Sequence, residues 1–461
     1  ISSLLVKRYS QYPSNFMLSF LLLLFSVIII VFLTAILYVH PFLALLCDAL
    51  FFGLFSGMEL DMIVNSINDG FGFTLGKIGV VIVLGVIIGA FLEHSGGAFK
   101  LAEAILKIIG KNRVYEAMGL VGFVVSIPVF ADSGFIILNP LNKSLSKRAG
   151  LSIVGTATVL ILGLMITHVL VPPTPGPIAA AGIIGADVGL VMLIGLIIGL
   201  LSLIVAVFYC KKMGSKYYID PNPDISEDEI QEKIKQAPSA FKSFLPILIP
   251  ILLIVGKSLV EFNLTEGQAE TGWFRFISFV GSPVIALIIG MLFAFLLPRK
   301  WDKTILSTTG WVGQALTDAS NIILITGAGG IFGTILQNSG IATTLADALS
   351  TANLGIWLPF MLCAAIKTAQ GSSTVALITT ASIIAPLLIS MGFTTEVDKA
   401  LVVAAIGAGA MVVSHANDSG FWILTQFSGI DVKTGYRVYT LGTFVVGSFA
   451  ALMVYIATFI I

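Results

Sequence analysis

Apolar stretches of about 20 residues, parted by short polar or charged interruptions, recur from one end of the chain to the other. A helix of that length matches the hydrocarbon thickness of a bilayer. The pattern predicts full spans over 16–38, 40–57, 77–94, 151–187, 188–210, 243–262, 276–297, 310–337, 398–430 and 434–461. Two of these, 151–187 and 398–430, are overlong and interrupted. Two further apolar stretches, 114–141 and 354–392, are broken near their middles. Residues 211–242, with PNPDISEDEIQEKIKQ at their centre, form the one long polar segment and predict a cytoplasmic linker with a short surface helix.

Composition agrees with the pattern: 57% of the residues are hydrophobic, 11% are charged, and mean hydropathy is +1.02. Soluble chains carry roughly a quarter charged residues, so the expected class is an all-α polytopic membrane protein in contact with lipid. A formal net charge of zero gives no basic field for nucleic acid. Cys47, Cys210 and Cys363 lie far apart in apolar runs, which offers neither a disulfide framework nor a zinc site. The first apolar run is too long for a signal-peptide core.

Charge adds topology, because Lys and Arg favour the cytoplasmic side. Basic clusters at Lys100–Arg113, Lys143–Arg148, Lys211–Lys216, Arg299–Lys303 and Lys433–Arg437 place both ends of 114–141 inside, so that stretch is a re-entrant hairpin around Ser126-Ile127-Pro128. The same reasoning makes 354–392 a second hairpin from outside, with Glu261, Glu266, Glu270, Glu396 and Asp398 external. Both termini come out external, against the basic pair Lys7 and Arg8.

The halves resemble each other. Gly85–Ile105 aligns with Gly329–Leu349, with ten of 21 positions identical. Pro140-Leu141 then matches Pro386-Leu387, and Thr167-His168 matches Ser414-His415. The expected organisation is 1–76 N-terminal scaffold, 77–210 repeat 1, 211–242 linker, 243–309 scaffold helices and 310–461 repeat 2. Charge gives the repeats opposite orientation, each with a re-entrant hairpin and a discontinuous helix. That is the architecture of secondary transporters, with the site at the breaks.

Unwound backbone at membrane depth persists only where it lines a protein cavity. Four breaks are expected to do so, and they supply the candidate substrate-binding residues Asp132, Ser133, Thr167, His168, Thr174, Lys367, Gln370, Gly371, Ser372, Ser373, Thr374, Asn417, Asp418 and Ser419. Gly371-Ser372-Ser373-Thr374 opens a half-helix whose free N–H groups suit a carboxylate, with Lys367 one turn before it. Asp132, Asp418, His168 and His415 are the candidate proton carriers. Each also has a plainer reading as a group that bridges unwound backbone. Gly85/Gly89 and Gly329/Gly333 are read as close helix-packing sites, and Glu93-His94 as an interfacial helix end.

These residues resemble the gluconate permease (GntP) family of the ion transporter superfamily, over nearly the whole chain from His40 onward. The resemblance rests on His40-Pro41-Phe42-Leu43-Ala44-Leu45, Pro128–Asp132, His168–Pro177, Ala369–Ala376 and Ser414–Trp422. It departs at Thr174 and Lys367, where the family typically shows His, and Arg or His, respectively. It implies a proton symporter for a sugar acid such as gluconate, or for glycerate, with a D-serine branch as alternative. It further implies a homodimer with an elevator-type motion in a bacterial inner membrane, with no cofactor beyond the ion gradient. Sodium coupling through Asn417, Asp418 and Ser133 stays open. An enzyme is not expected: none of the four histidines stands in a His-Glu-x-x-His motif.

Overall fold

A computed structural model describes residues 16–110, 113–222, 227–262, 272–341 and 354–460, and all regular elements among them are helical. Lys7, Arg8, Glu266, Glu270 and the end of the second copy of the aligned repeat, 342–349, lie outside the described residues.

Helices α1 (Phe16–Val31, continued by a π turn Phe32–Ile36) and α2 (Pro41–Phe55) come first. His40 caps α2 by accepting the Phe42 N–H, and its other ring nitrogen lies 2.7 Å from Asn321 Oδ1. Next comes α3, Leu60–His94, 35 residues long. The expected span 77–94 is therefore only the second half of a longer helix, which crosses the expected boundary at 76. Its first half is weakly apolar, yet Ile63, Ser66, Gly70 and Thr74 form one buried face.

That face packs on α14, Trp311–Asn338. Asn338 Nδ2 donates to Ser66 Oγ at 2.8 Å, a Cβ on Gly70 would stand 2.6 Å from Gly330 O, and the His94 and Trp311 rings stack at 5.3 Å. Low numbers of α3 meet high numbers of α14, so the two helices are antiparallel. Small residues at the seam allow this approach, as helix pairing in lipid favours.

The first half continues with α4 (Gly97–Ile109), α5 (Val114–Val125), α6 (Ala131–Arg148), α7 (Ile153–Leu170), α8 (Pro175–Ile184) and α9 (Val188–Lys216). Helix α4 buries Ala98, Leu101, Ala102 and Ile105 and pairs Glu103 with Lys100 and Lys107 on its other side. Helix α7 is enclosed almost all round, as its unbroken apolar character requires. Helix α5 runs parallel to α7, since Tyr115 lies against Gly155 and Gly119 against Val159. Helix α6 runs antiparallel to α7, since Gly134 meets Leu164 and Ser146 bonds Thr156 at 2.7 Å. Hence α5 and α6 form a hairpin with its tip at 126–130.

The linker holds α10, Glu227–Gln236. Helix α11 (Ala240–Phe262) follows. The expected span 276–297 is instead a bent pair, α12 (Gly272–Val280) and α13 (Pro283–Ala294), at 61°. Pro283 has no N–H to continue α12 and begins the next helix at its first position.

In the second half, α14 is followed by the hairpin α15 (Trp357–Gln370) and α16 (Ser373–Ile384), then by α17 (Glu396–Met411), α18 (Ser419–Ser428) and the short α19 (Val432–Gly435). A π turn, Tyr436–Thr440, leads into α20 (Leu441–Ala457). The order long helix, hairpin, broken helix, helix thus occurs twice.

Candidate functional site

Both broken helices stop at residues that leave the helical region. In α7–α8 the interruption is Val171-Pro172-Pro173-Thr174, where two prolines in sequence withhold N–H groups. In α17–α18 it is the longer stretch Val412–Asp418. The hairpin tips are Ser126–Phe130 and Gly371-Ser372. Gly371 has φ +93°, and a Cβ there would stand 2.1 Å from Asn417 O, so only glycine fits this crossing of tip and break.

The tips and breaks of opposite halves meet. Ser419 Oγ donates to Asp132 Oδ2 at 2.6 Å, and Asn139 Nδ2 donates to Phe427 O at 3.0 Å, which docks α6 beside α18. Thr374 packs against Gly176, which docks α16 beside α8. Gly85 and Gly89 of α3 let Pro173 O and Pro128 O come within contact of the helix backbone, and Gly329 faces Ile378 and Ser382 of α16. These glycines pack helices against the breaks, as read from the sequence.

Lys367 lies at the centre. It is 0% exposed, donates to Asp418 Oδ2 at 3.0 Å and to Ser414 Oγ at 3.2 Å. Asp418 is buried too; its other oxygen accepts the Gly420 N–H at 3.1 Å and so caps α18. A buried ammonium is tolerable only when paired and hydrogen-bonded in this way. Asp132 differs: it is bonded to Ser419 and makes no ion pair among the described residues.

The other expected site residues divide by what they touch. His415 Nε2 lies 2.8 Å from Thr368 O, and Asn417 Nδ2 donates to Thr368 O at 2.8 Å and Ala369 O at 3.2 Å, so both side chains tie the break to the hairpin tip. Gln370 accepts the Ser372 N–H and donates to Ser372 O, closing the tip, and Ser372 caps α16. Ser373 donates to Ala410 O, Thr174 to Val171 O and Thr167 to Leu164 O. These three hydroxyls are held by backbone carbonyls. His168 packs its ring 6.3 Å from Phe130, and its Nδ1 is enclosed without a hydrogen-bond partner. Ser133 is half-buried beside Asp132.

Three residues absent from the expected site also shape it. Ser414 holds Lys367 by its hydroxyl; Thr443 accepts the Ser414 N–H at 3.0 Å, and Thr440 donates to Ser414 O at 2.6 Å. Ser414 was legible as the counterpart of Thr167 in the repeat, whereas Thr440 and Thr443 sit in an ordinary apolar run with no signal of their own.

Four half-helices, α6, α8, α16 and α18, begin at this centre and point their N-termini toward it. Such ends favour negative charge. Helix α8 starts Pro-Gly-Pro and contributes few N–H groups, while α6 has no side-chain cap at Phe130. Among the described residues no cluster of His, Cys, Asp and Glu is arranged to hold a metal ion.

Hairpins and broken helices meeting inside a bundle of lipid-length helices define a multi-pass membrane transport protein and not an enzyme. The chain belongs to the GntP family permeases, whose family model matches residues 18–460. It is 36% identical to a gluconate permease of Pseudomonas aeruginosa, covering 87% of this chain and 89% of that one. It is 34% identical to an inner membrane permease of Escherichia coli (89% and 91% covered) and 33% identical to an E. coli D-serine transporter (95% and 98%). In fold it is similar to the YdaH transporter of Alcanivorax borkumensis, with a TM-score of 0.62 at 15% identity over 90% of this chain and 97% of that one. The protein is a permease of the bacterial inner membrane.

Proposed function

We propose that this permease takes up a small hydroxy-carboxylate, gluconate or a related sugar acid or glycerate, together with protons. The observation that carries the reading is the charge balance at the centre of the site: Lys367 is neutralised by Asp418, while Asp132 has no cationic partner. An anionic substrate entering this site adds a second uncompensated negative charge in a low-dielectric interior. Protonating Asp132 removes that penalty, so proton and anion bind better together than apart. The relatives that carry gluconate in their names support the substrate class.

Sodium coupling is the second reading. Of Asn417, Asp418 and Ser133, which would serve it, the Asp418 carboxylate is already paired with the Lys367 ammonium at 3.0 Å, which favours protons. D-serine is the alternative substrate, in keeping with the name of one relative.

The antiparallel pairing of α3 and α14 and the repeated element order support an inverted repeat; a homodimer whose transport region moves against a scaffold is what the family resemblance implies. Uptake of labelled gluconate into proteoliposomes, driven separately by a pH gradient and by a sodium gradient, tests the proposal. Saturable uptake on the pH gradient alone, displaced by unlabelled sugar acids, is the expected result. Uptake on sodium alone, or displacement by D-serine and not by sugar acids, overturns it.

A further inference from the structure

Tyr439 is singled out neither by a sequence motif nor by the site as expected. It lies in the π turn Tyr436–Thr440 and is fully buried. Short π segments inside helices recur at functional sites, where the extra residue re-aims side chains. This one is clamped to the break before Asp418: Thr440 and Thr443 hold the carbonyl and N–H of Ser414. The phenol oxygen is enclosed and makes no well-formed hydrogen bond in this conformation; the Ser414 side chain offers it only a marginal one. An enclosed hydroxyl without a partner is rare, because its desolvation is not repaid.

Ser414 and Asp418 lie beside it, and Asp132 is close enough to act on it electrostatically. A Cβ on Gly420 would stand 2.9 Å from the Tyr439 hydroxyl and 3.7 Å from Asp418 Oδ1, so both oxygens border the same point. The ring is held against Phe421, 6.4 Å between centroids. The hydroxyl is therefore a donor parked beside a carboxylate whose cation is, in this conformation, Lys367.

We propose that Tyr439 is a positioning residue for the ion pair: its hydroxyl takes over the Asp418 carboxylate when Lys367 turns to the carboxylate of the substrate. The inference rests on the proposed uptake of an anion at this site, and adds that Lys367, paired with Asp418 in the substrate-free state, becomes the substrate's charge partner. When the ammonium leaves, Asp418 keeps only the Gly420 N–H, and a buried carboxylate with one donor is costly. Ser414, which had been accepting from Lys367, and Tyr439 are the O–H donors beside it. The unpaired phenol is then the vacant half of a partner exchange.

Tyr439→Phe removes a hydroxyl with no well-formed hydrogen bond in the substrate-free state, so an unchanged melting temperature is expected. Gluconate uptake in proteoliposomes is measured for the native protein, Tyr439→Phe and, as a control on the same turn, Tyr436→Phe. Gluconate binding is measured by calorimetry for the native protein, Tyr439→Phe, Asp418→Asn and the double variant. The expected result is a KM raised about tenfold in Tyr439→Phe, with no change in Tyr436→Phe. Tyr439→Phe then has no further effect on affinity in the Asp418→Asn background. An equal loss in that background, or no loss, overturns the inference. Absence of gluconate uptake by the native protein overturns the substrate reading, and this inference with it.

Discussion

Ser419 Oγ donates to Asp132 Oδ2 at 2.6 Å although 287 residues separate the two. The bond joins the hairpin of the first half to the broken helix of the second, and it is the only hydrogen bond found for that carboxylate among the described residues. Asp132→Asn therefore keeps the contact and removes the titration. The expected outcome is loss of concentrative, pH-driven uptake with retention of counterflow exchange. Pumping by the Asn variant with a native pH profile would remove Asp132 from the coupling role.

Lys367 and Asp418 form a buried pair, and removal of one partner strands the other charge. Lys367→Met should cost about 3–5 kcal/mol of stability, read as a drop in melting temperature in detergent. Lys367→Met combined with Asp418→Asn should recover most of that loss while uptake stays absent. Recovery of uptake in the double variant would show the pair to be structural alone.

At Gly371 both the backbone and the space exclude a side chain. Gly371→Ala has to hold an alanine at φ +93°, costing about 1–3 kcal/mol, and to displace Asn417 O as well. Uptake should fall to background, with reduced thermal stability. A well-folded, active alanine variant would mean that the tip and the break do not cross as described.

On the surface, Lys147 donates to Asp220 at 2.6 and 2.9 Å. Hydrogen bonds from the Lys147 ammonium and the Asn222 N–H hold the Asp220 carboxyl below its ordinary 3.8, and the same bond holds Lys147 above its ordinary 10.5. A lowered acid stabilises the fold above its unfolded value and loses that effect as pH falls through the folded one. A raised lysine stabilises below 10.5 and loses the effect above its folded value. The pair is thus constant from about pH 5 to 9. Asp220→Asn should leave the pH profile of uptake unchanged across that window. A shifted profile would place a coupling group at this surface.

Much of this fold was legible because lipid fixes the length of apolar runs, and because Pro and Gly in the middle of such runs mark the breaks. The start of α3 was not legible. Ser66, Gly70 and Thr74 face α14, and a helix seam in lipid selects small residues, which carry no hydropathy signal. The bend at Gly281-Ser282-Pro283 was hidden inside a run of suitable length. For the site, residue types in the breaks pointed to Lys367, Asp132 and Asp418. Their pairing across 51 positions did not show, and neither did the capture of Thr167, Thr174 and Ser373 by nearby carbonyls.

The docking of each hairpin tip on the broken helix of the other half makes the centre a shared possession. Asp132 belongs to the first half and Ser419 to the second; Gly176 belongs to the first and Thr374 to the second. Neither half alone supplies the groups that meet at this centre. A substitution far from Lys367 that loosens the seam between the halves thus disables transport as surely as one inside it, without touching a single group that meets the substrate.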